Sequence, residues 1–102
     1  MVILSKSTIR HYGDKYPSAA SALNEWFIKT KDADWSNLAD IRQTFNHVDY
    51  IANDRYVFNI KGNHYCLIAK VMFPIRTVYV KFVGTHAEYD RIDISTIEPD
   101  RL

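Results

Sequence analysis

The stretch RYVFNIKGNHYCLIAKVMF, Arg55 to Phe73, decides the fold. Its apolar residues recur at every second position, the period of a β-strand rather than the 3.6 of a helix. Lys61-Gly62-Asn63 interrupts the pattern with turn residues. The stretch therefore reads as strand, turn, strand. Sorting by alternation puts Tyr56, Phe58 and Ile60 on one face, against Arg55, Val57, Asn59 and Lys61. In the second strand Leu67, Ala69, Val71 and Phe73 share a face. His64, Cys66, Ile68, Lys70 and Met72 take the other.

Toward the C-terminus, Pro74 marks a turn, and TVYVKFVG continues as a further strand. There Val78, Val80 and Phe82 oppose Tyr79, Lys81 and Val83. Gly84 ends that strand, and Thr85 opens a helix of one to two turns. The tail ISTIEPDRL is unassigned, with Pro99 arguing against regular structure at its end. Toward the N-terminus, residues 46–54 read as a loop or ragged strand. A short helix starts near Ser36 and carries Leu38, Ile41 and Phe45. A longer helix spans about 18–31, capped by Ser18, with Ala19, Ala22, Leu23, Trp26 and Phe27 at helical spacing. Pro17 separates it from a helix that begins at Ser5 or Ser7 and carries Ile9, Tyr12 and Tyr16. Val2–Leu4 reads as a first strand. Helices gathered ahead of an antiparallel run predict an α+β fold: a small antiparallel sheet, N-terminal helices packed on one face, and a short C-terminal helix.

Composition sets bounds. The chain has 102 residues, 47% of them hydrophobic and 25% charged, which suits one small domain over 1–102 and argues against disorder. No apolar run approaches the roughly 20 residues of a membrane span, and no basic segment precedes the apolar start MVIL, so neither a membrane nor a signal peptide is expected. Cys66 is the only cysteine, which excludes an internal disulfide and points to a reducing cytoplasmic setting. The net charge of +1 is unevenly spread: residues 55–91 hold six Lys/Arg against two Asp/Glu.

That basic excess falls on one side of the sheet. The face carrying Arg55, Asn59, Lys61, His64, Lys70, Tyr79 and Lys81 has only positive charges, interleaved with an aromatic ring. Such a surface suits RNA, because cations neutralise phosphates and rings stack on splayed bases. A solvated sheet face is the other reading of the same pattern. THAEYD, directly after the last strand, separates into two sets. Thr85 and Glu88 fit a capping box, which explains how the helix starts. His86, Tyr89 and Asp90 sit at i, i+3 and i+4 and can share a helix face, as proton-handling groups or as a polar helix end. No His/Cys spacing resembles a metal site, and no glycine-rich phosphate loop occurs.

VFNIKGNHY (57–65) and FVGTHAEYD (82–90) are the most specific parts of a wider resemblance, covering about residues 2–94, to the HigB-type toxins of the RelE/ParE superfamily. The resemblance implies a RelE-like fold and an mRNA interferase, an endoribonuclease that cuts mRNA, commonly on translating ribosomes, with no metal or cofactor. It also implies a HigA-type helix-turn-helix antitoxin as partner. On that reading His86 acts as acid or base. Lys61 and Lys81 stabilise the transition state, and Tyr89 orients the phosphate or stacks on a base. Arg55, Asn59, Asn63, His64, Lys70, Tyr79, Asp90 and Arg91 position RNA. Two alternatives remain: a ParE-like inhibitor of DNA gyrase, and a degenerate toxin that only binds its antitoxin.

Overall fold

The computed structural model describes residues 1–4, 6–62 and 64–91. Asn63 and the tail expectation lie outside those residues. The described elements run β1 (Val2–Leu4), α1 (Lys6–Lys15), α2 (Pro17–Asp32), α3 (Leu38–Thr44), β2 (Val48–Ala52), β3 (Arg55–Ile60), β4 (Tyr65–Met72), a 3-10 turn (Phe73–Ile75), β5 (Thr77–Thr85) and α4 (His86–Tyr89). The fold is α+β. Its five-stranded sheet has the order β1-β5-β4-β3-β2, antiparallel except where β1 runs parallel to β5.

Local chemistry explains the junctions and corrects several expected boundaries. Pro17 does not merely break a helix. It occupies the first turn of α2, where a missing N–H costs nothing. Ser18 is accordingly not the cap; that position falls to Tyr16, and the Ser18 hydroxyl instead meets the Tyr65 hydroxyl at 2.7 Å. Residues 48–52 form a true edge strand, because Asn53 and Asp54 both take positive φ (51° and 61°) and close a two-residue hairpin. Asn and Asp tolerate that left-handed backbone better than most residues. Lys61 (φ 52°) and Gly62 (φ 64°) turn the next hairpin, so Lys61 belongs to the turn rather than to β3.

The helices cover one sheet face. Trp26, Trp35, Phe45 and Phe58 interlock at centroid distances of 5.4 to 6.4 Å, and Leu23, Ile41, Leu67, Val71, Val78 and Val80 fill in around them. Tyr56, Ile60 and Ala69 join the same core, as alternation predicts.

Alternation fails within β5. Ala69 pairs with Val80, but Ile68 pairs with Phe82, so Lys81 is an extra residue in β5. This β-bulge shifts every later side chain of β5 by one position relative to β4. Phe82, expected in the helix-side core, therefore lies on the opposite face with Val57, Cys66 and Ile68, while Val83, expected outside, enters the core. The second face is thus not wholly wet. Its centre is a small apolar patch, capped by Tyr89.

Candidate nucleic-acid interface

α4 is a single turn, and its start is fixed by side chains. The Thr85 hydroxyl accepts from the Glu88 N–H at 3.3 Å, and Glu88 Oε1 accepts from the Thr85 N–H at 3.1 Å. This is the capping box read from the sequence. Glu88 does more than cap. Its Oε1 also accepts from the Tyr16 hydroxyl at 2.5 Å, and Lys15 Nζ lies 3.9 Å from Oε2. Burial pushes the Glu88 carboxyl up, but Tyr16, Thr85 and Lys15 outweigh it and hold the group below its ordinary value.

This anchored turn presents His86 and Tyr89, whose rings meet edge to face at 6.2 Å. Tyr89 leans onto the apolar patch of the second face, and His86 is exposed. Burial raises the Tyr89 phenol, and Cys66, Asp49 and Asp90 raise it further. At neutral pH it is therefore a proton donor, not a base. Cys66 beneath it is fully buried, and burial with nearby Asp90 and Glu88 pushes its thiol up to about 12. A thiol so raised is no nucleophile at neutral pH.

Across the sheet, the register lines up a second set. Arg55 pairs with Lys70, and Lys70 pairs with Tyr79, so the three form one row over β3, β4 and β5. Lys81, thrown out by the bulge, brings its Nζ over the Tyr79 ring at 5.4 Å from the centroid. Arg55 is buried, with Nη1 donating to the Asn53 carbonyl at 3.2 Å, while Lys70, Tyr79 and Lys81 are half-buried.

The expected residues thus fall into two groups. Arg55, Lys70, Tyr79 and Lys81 stand together at one end of the second face. His86, Tyr89, Asp90 and Arg91 stand at the other, near the β3–β4 hairpin that carries Asn59, Lys61 and His64; Asn63 is outside the described residues. Four strand positions separate Lys81 from Thr85, on the order of 13 Å at a strand's rise. Lys61 and Lys81 are therefore not brought together, although sequence reasoning gave them one role. Lys61 borders a groove on the helix side, with Glu25, Trp26, Lys29 and Phe45. Sequence reasoning misses Tyr16, whose only signal is its place beside Pro17, and Asp49, which falls in the stretch that reads as a loop or ragged strand.

Comparison with known proteins adds the family. Residues 19–92 match the family described as "HigB_toxin, RelE-like toxic component of a toxin-antitoxin system". This chain belongs to the HigB toxin family. An "mRNA interferase HigB" of Escherichia coli O6:H1 is 33% identical over 94 residues, covering 90% of this chain and 91% of the relative. The "mRNA interferase toxin HigB" of E. coli K12 is 27% identical over 93 residues, covering 88% of each. Every candidate group named above except Tyr16 and Lys15 lies within the HigB match.

Proposed function

We propose that this HigB-family chain is an endoribonuclease that cuts mRNA on translating ribosomes and is held in check by a HigA-type helix-turn-helix antitoxin. The supporting observation is the shared face: two half-buried lysines and one ring, Lys70 beside Tyr79 with Lys81 above Tyr79, lie on the same side of the sheet as the His86–Tyr89 pair, while Arg55 at the end of that row is buried. The names of the E. coli relatives point the same way.

The reaction follows from RNA's own chemistry. The 2′-oxygen attacks the adjacent phosphorus, the P–O5′ bond breaks, and a 2′,3′-cyclic phosphate and a 5′-hydroxyl result. The 2′-hydroxyl proton must leave, and the 5′-oxygen must gain one. His86 is the proton carrier, since an imidazole can do either. Tyr89, kept protonated by burial, donates a hydrogen bond to a phosphate oxygen. His64, on the neighbouring hairpin, offers a ring nitrogen toward that phosphate, while Lys61 faces the helix-side groove. Lys81 and Lys70 hold flanking phosphates, Tyr79 stacks on a base, and Asn59, Asp90 and Arg91 border the strand's path.

Inducing the protein in cells and mapping mRNA 5′ ends by primer extension tests this reading. New ends inside coding regions are expected, absent for His86→Ala. Unchanged mRNA with inhibited DNA supercoiling would instead favour a gyrase inhibitor, and a chain with neither effect would be a degenerate antitoxin binder.

A further inference from the structure

We propose that Tyr16, at the corner between α1 and α2, is a positioning residue that sets where His86 and Tyr89 stand over the sheet. Its kinetic consequence rests on the RNA-cleavage reading; its structural consequence does not.

A four-residue helix cannot hold itself, because nucleating one turn costs more than its few hydrogen bonds return. The capping box gives α4 a shape, but both partners, Thr85 and Glu88, belong to the same short segment. What ties the segment to the body must come from elsewhere. Tyr89 rests on the apolar patch and Lys15 lies 3.9 Å from Glu88, but the directed hydrogen bond comes from Tyr16: its hydroxyl reaches Glu88 Oε1 at 2.5 Å across 72 positions of sequence. Glu88 lies between His86 and Tyr89 in that turn, so fixing its carboxylate fixes both neighbours.

Tyr16 is itself held on several sides. Its ring stacks on Tyr12 at 6.2 Å with an interplanar angle of 11°, and tilts against Tyr65 at 5.5 Å. Tyr12 in turn meets Phe82 at 6.1 Å, the residue that the bulge places on the second face. Its backbone is pinned as the residue between two helices, directly before Pro17. The phenol is raised to about 12, foremost by its bond to Glu88, so it stays a donor throughout the working range. A rigid donor on the helical layer thus aims at the hub of the candidate site. It lies three residues before the segment that matches the family.

Tyr16→Phe removes one oxygen and leaves the ring packing in place. In single-turnover cleavage of mRNA on programmed ribosomes, the rate is expected to fall by about 10- to 100-fold, the scale of an ångström-sized misplacement. RNA affinity should stay within about twofold, because the Lys70–Lys81 row is untouched. The His86 and Tyr89 ring resonances should shift in NMR spectra, and the α4 amides should exchange faster, with the remaining spectrum unchanged. In a Glu88→Ala background, Tyr16→Phe should have no further effect, since it acts through that carboxylate. Wild-type ring resonances in Tyr16→Phe, or effects of the two substitutions that simply multiply, would overturn the proposal. If the wild type cuts no mRNA on programmed ribosomes, the function reading fails, and the NMR arm alone decides the role of Tyr16.

Discussion

Replacing Gly84 by Ala tests the packing that the bulge creates. A Cβ at this position would lie 2.6 Å from Phe82 Cζ, 2.9 Å from Phe82 Cε2 and 3.2 Å from Glu88 Oε1. The first two are closer than carbon atoms tolerate. The ring has little room to retreat, since it is packed against Val57, Cys66 and Ile68, with Tyr12 at 6.1 Å. Overpacking of this kind costs about 1–3 kcal/mol, and two sub-3 Å contacts on a clamped ring argue for about 2 kcal/mol or more. In urea, with a slope of about 1–3 kcal/mol per molar, the midpoint should fall by roughly 1 M. Gly→Ala without strain does the reverse, stabilising by about 0.4–1 kcal/mol through the unfolded chain. The sign is therefore diagnostic. Shortening the ring in the double variant Gly84→Ala, Phe82→Leu should recover part of the loss relative to the sum of the single changes. A Gly84→Ala protein as stable as wild type, or more so, would mean that Phe82 does not lie over Gly84 and that the bulge is misplaced.

Phe58→Ala should destabilise by about 3–5 kcal/mol in the same urea assay, since Phe58 is 1% exposed and touches Trp26, Trp35 and Phe45. Stability should also fall at alkaline pH. The folded Cys66 thiol is raised from 9.0 to about 12, so its contribution is complete below 9 and lost progressively as pH rises toward 12. Cys66→Ala should flatten the first part of that fall in denaturation curves between pH 8 and 10, leaving the part set by Tyr16, Tyr56 and Tyr89 above 10. For RNA binding, Lys81→Ala should reduce the slope of log affinity against log salt by about 0.7, one single-strand phosphate contact, measured by fluorescence anisotropy.

Much of this molecule was readable from residue order. The β3–β4 hairpin, the split of Tyr56, Phe58, Leu67, Ala69 and Val71 to one face, and the Thr85–Glu88 box follow from periodicity and capping chemistry, which are local. What escaped was set by partners distant in sequence. Nothing in VYVKFVG announces that Lys81 is an extra residue, because a bulge is defined by the neighbouring strand; Phe82 and Val83 therefore take the faces opposite to those plain alternation predicts. The hairpin at Asn53-Asp54 did carry a local signal, two residues suited to positive φ, but the irregular run before it reads equally as a loop or a ragged strand. At the site, the residue types were legible and their grouping was not. Lys61 and Lys81 look equivalent in a list of basic residues, yet a turn and about 13 Å of strand separate them. Tyr16 resembled a core aromatic because its partner lies 72 positions away.

The central claim is that RNA lies on the sheet face shared by β4, β5 and α4. Photocrosslinking tests it most directly: the protein is bound to a single-stranded RNA carrying thiouridine throughout, irradiated, and its crosslinked peptides are identified by mass spectrometry. Crosslinks concentrated on Tyr79 and Tyr89, and lost when salt releases the RNA, are the predicted result. Crosslinks confined to the groove between α1 and α2, lined by Lys6, Arg10, Phe27 and Ile28, would contradict it.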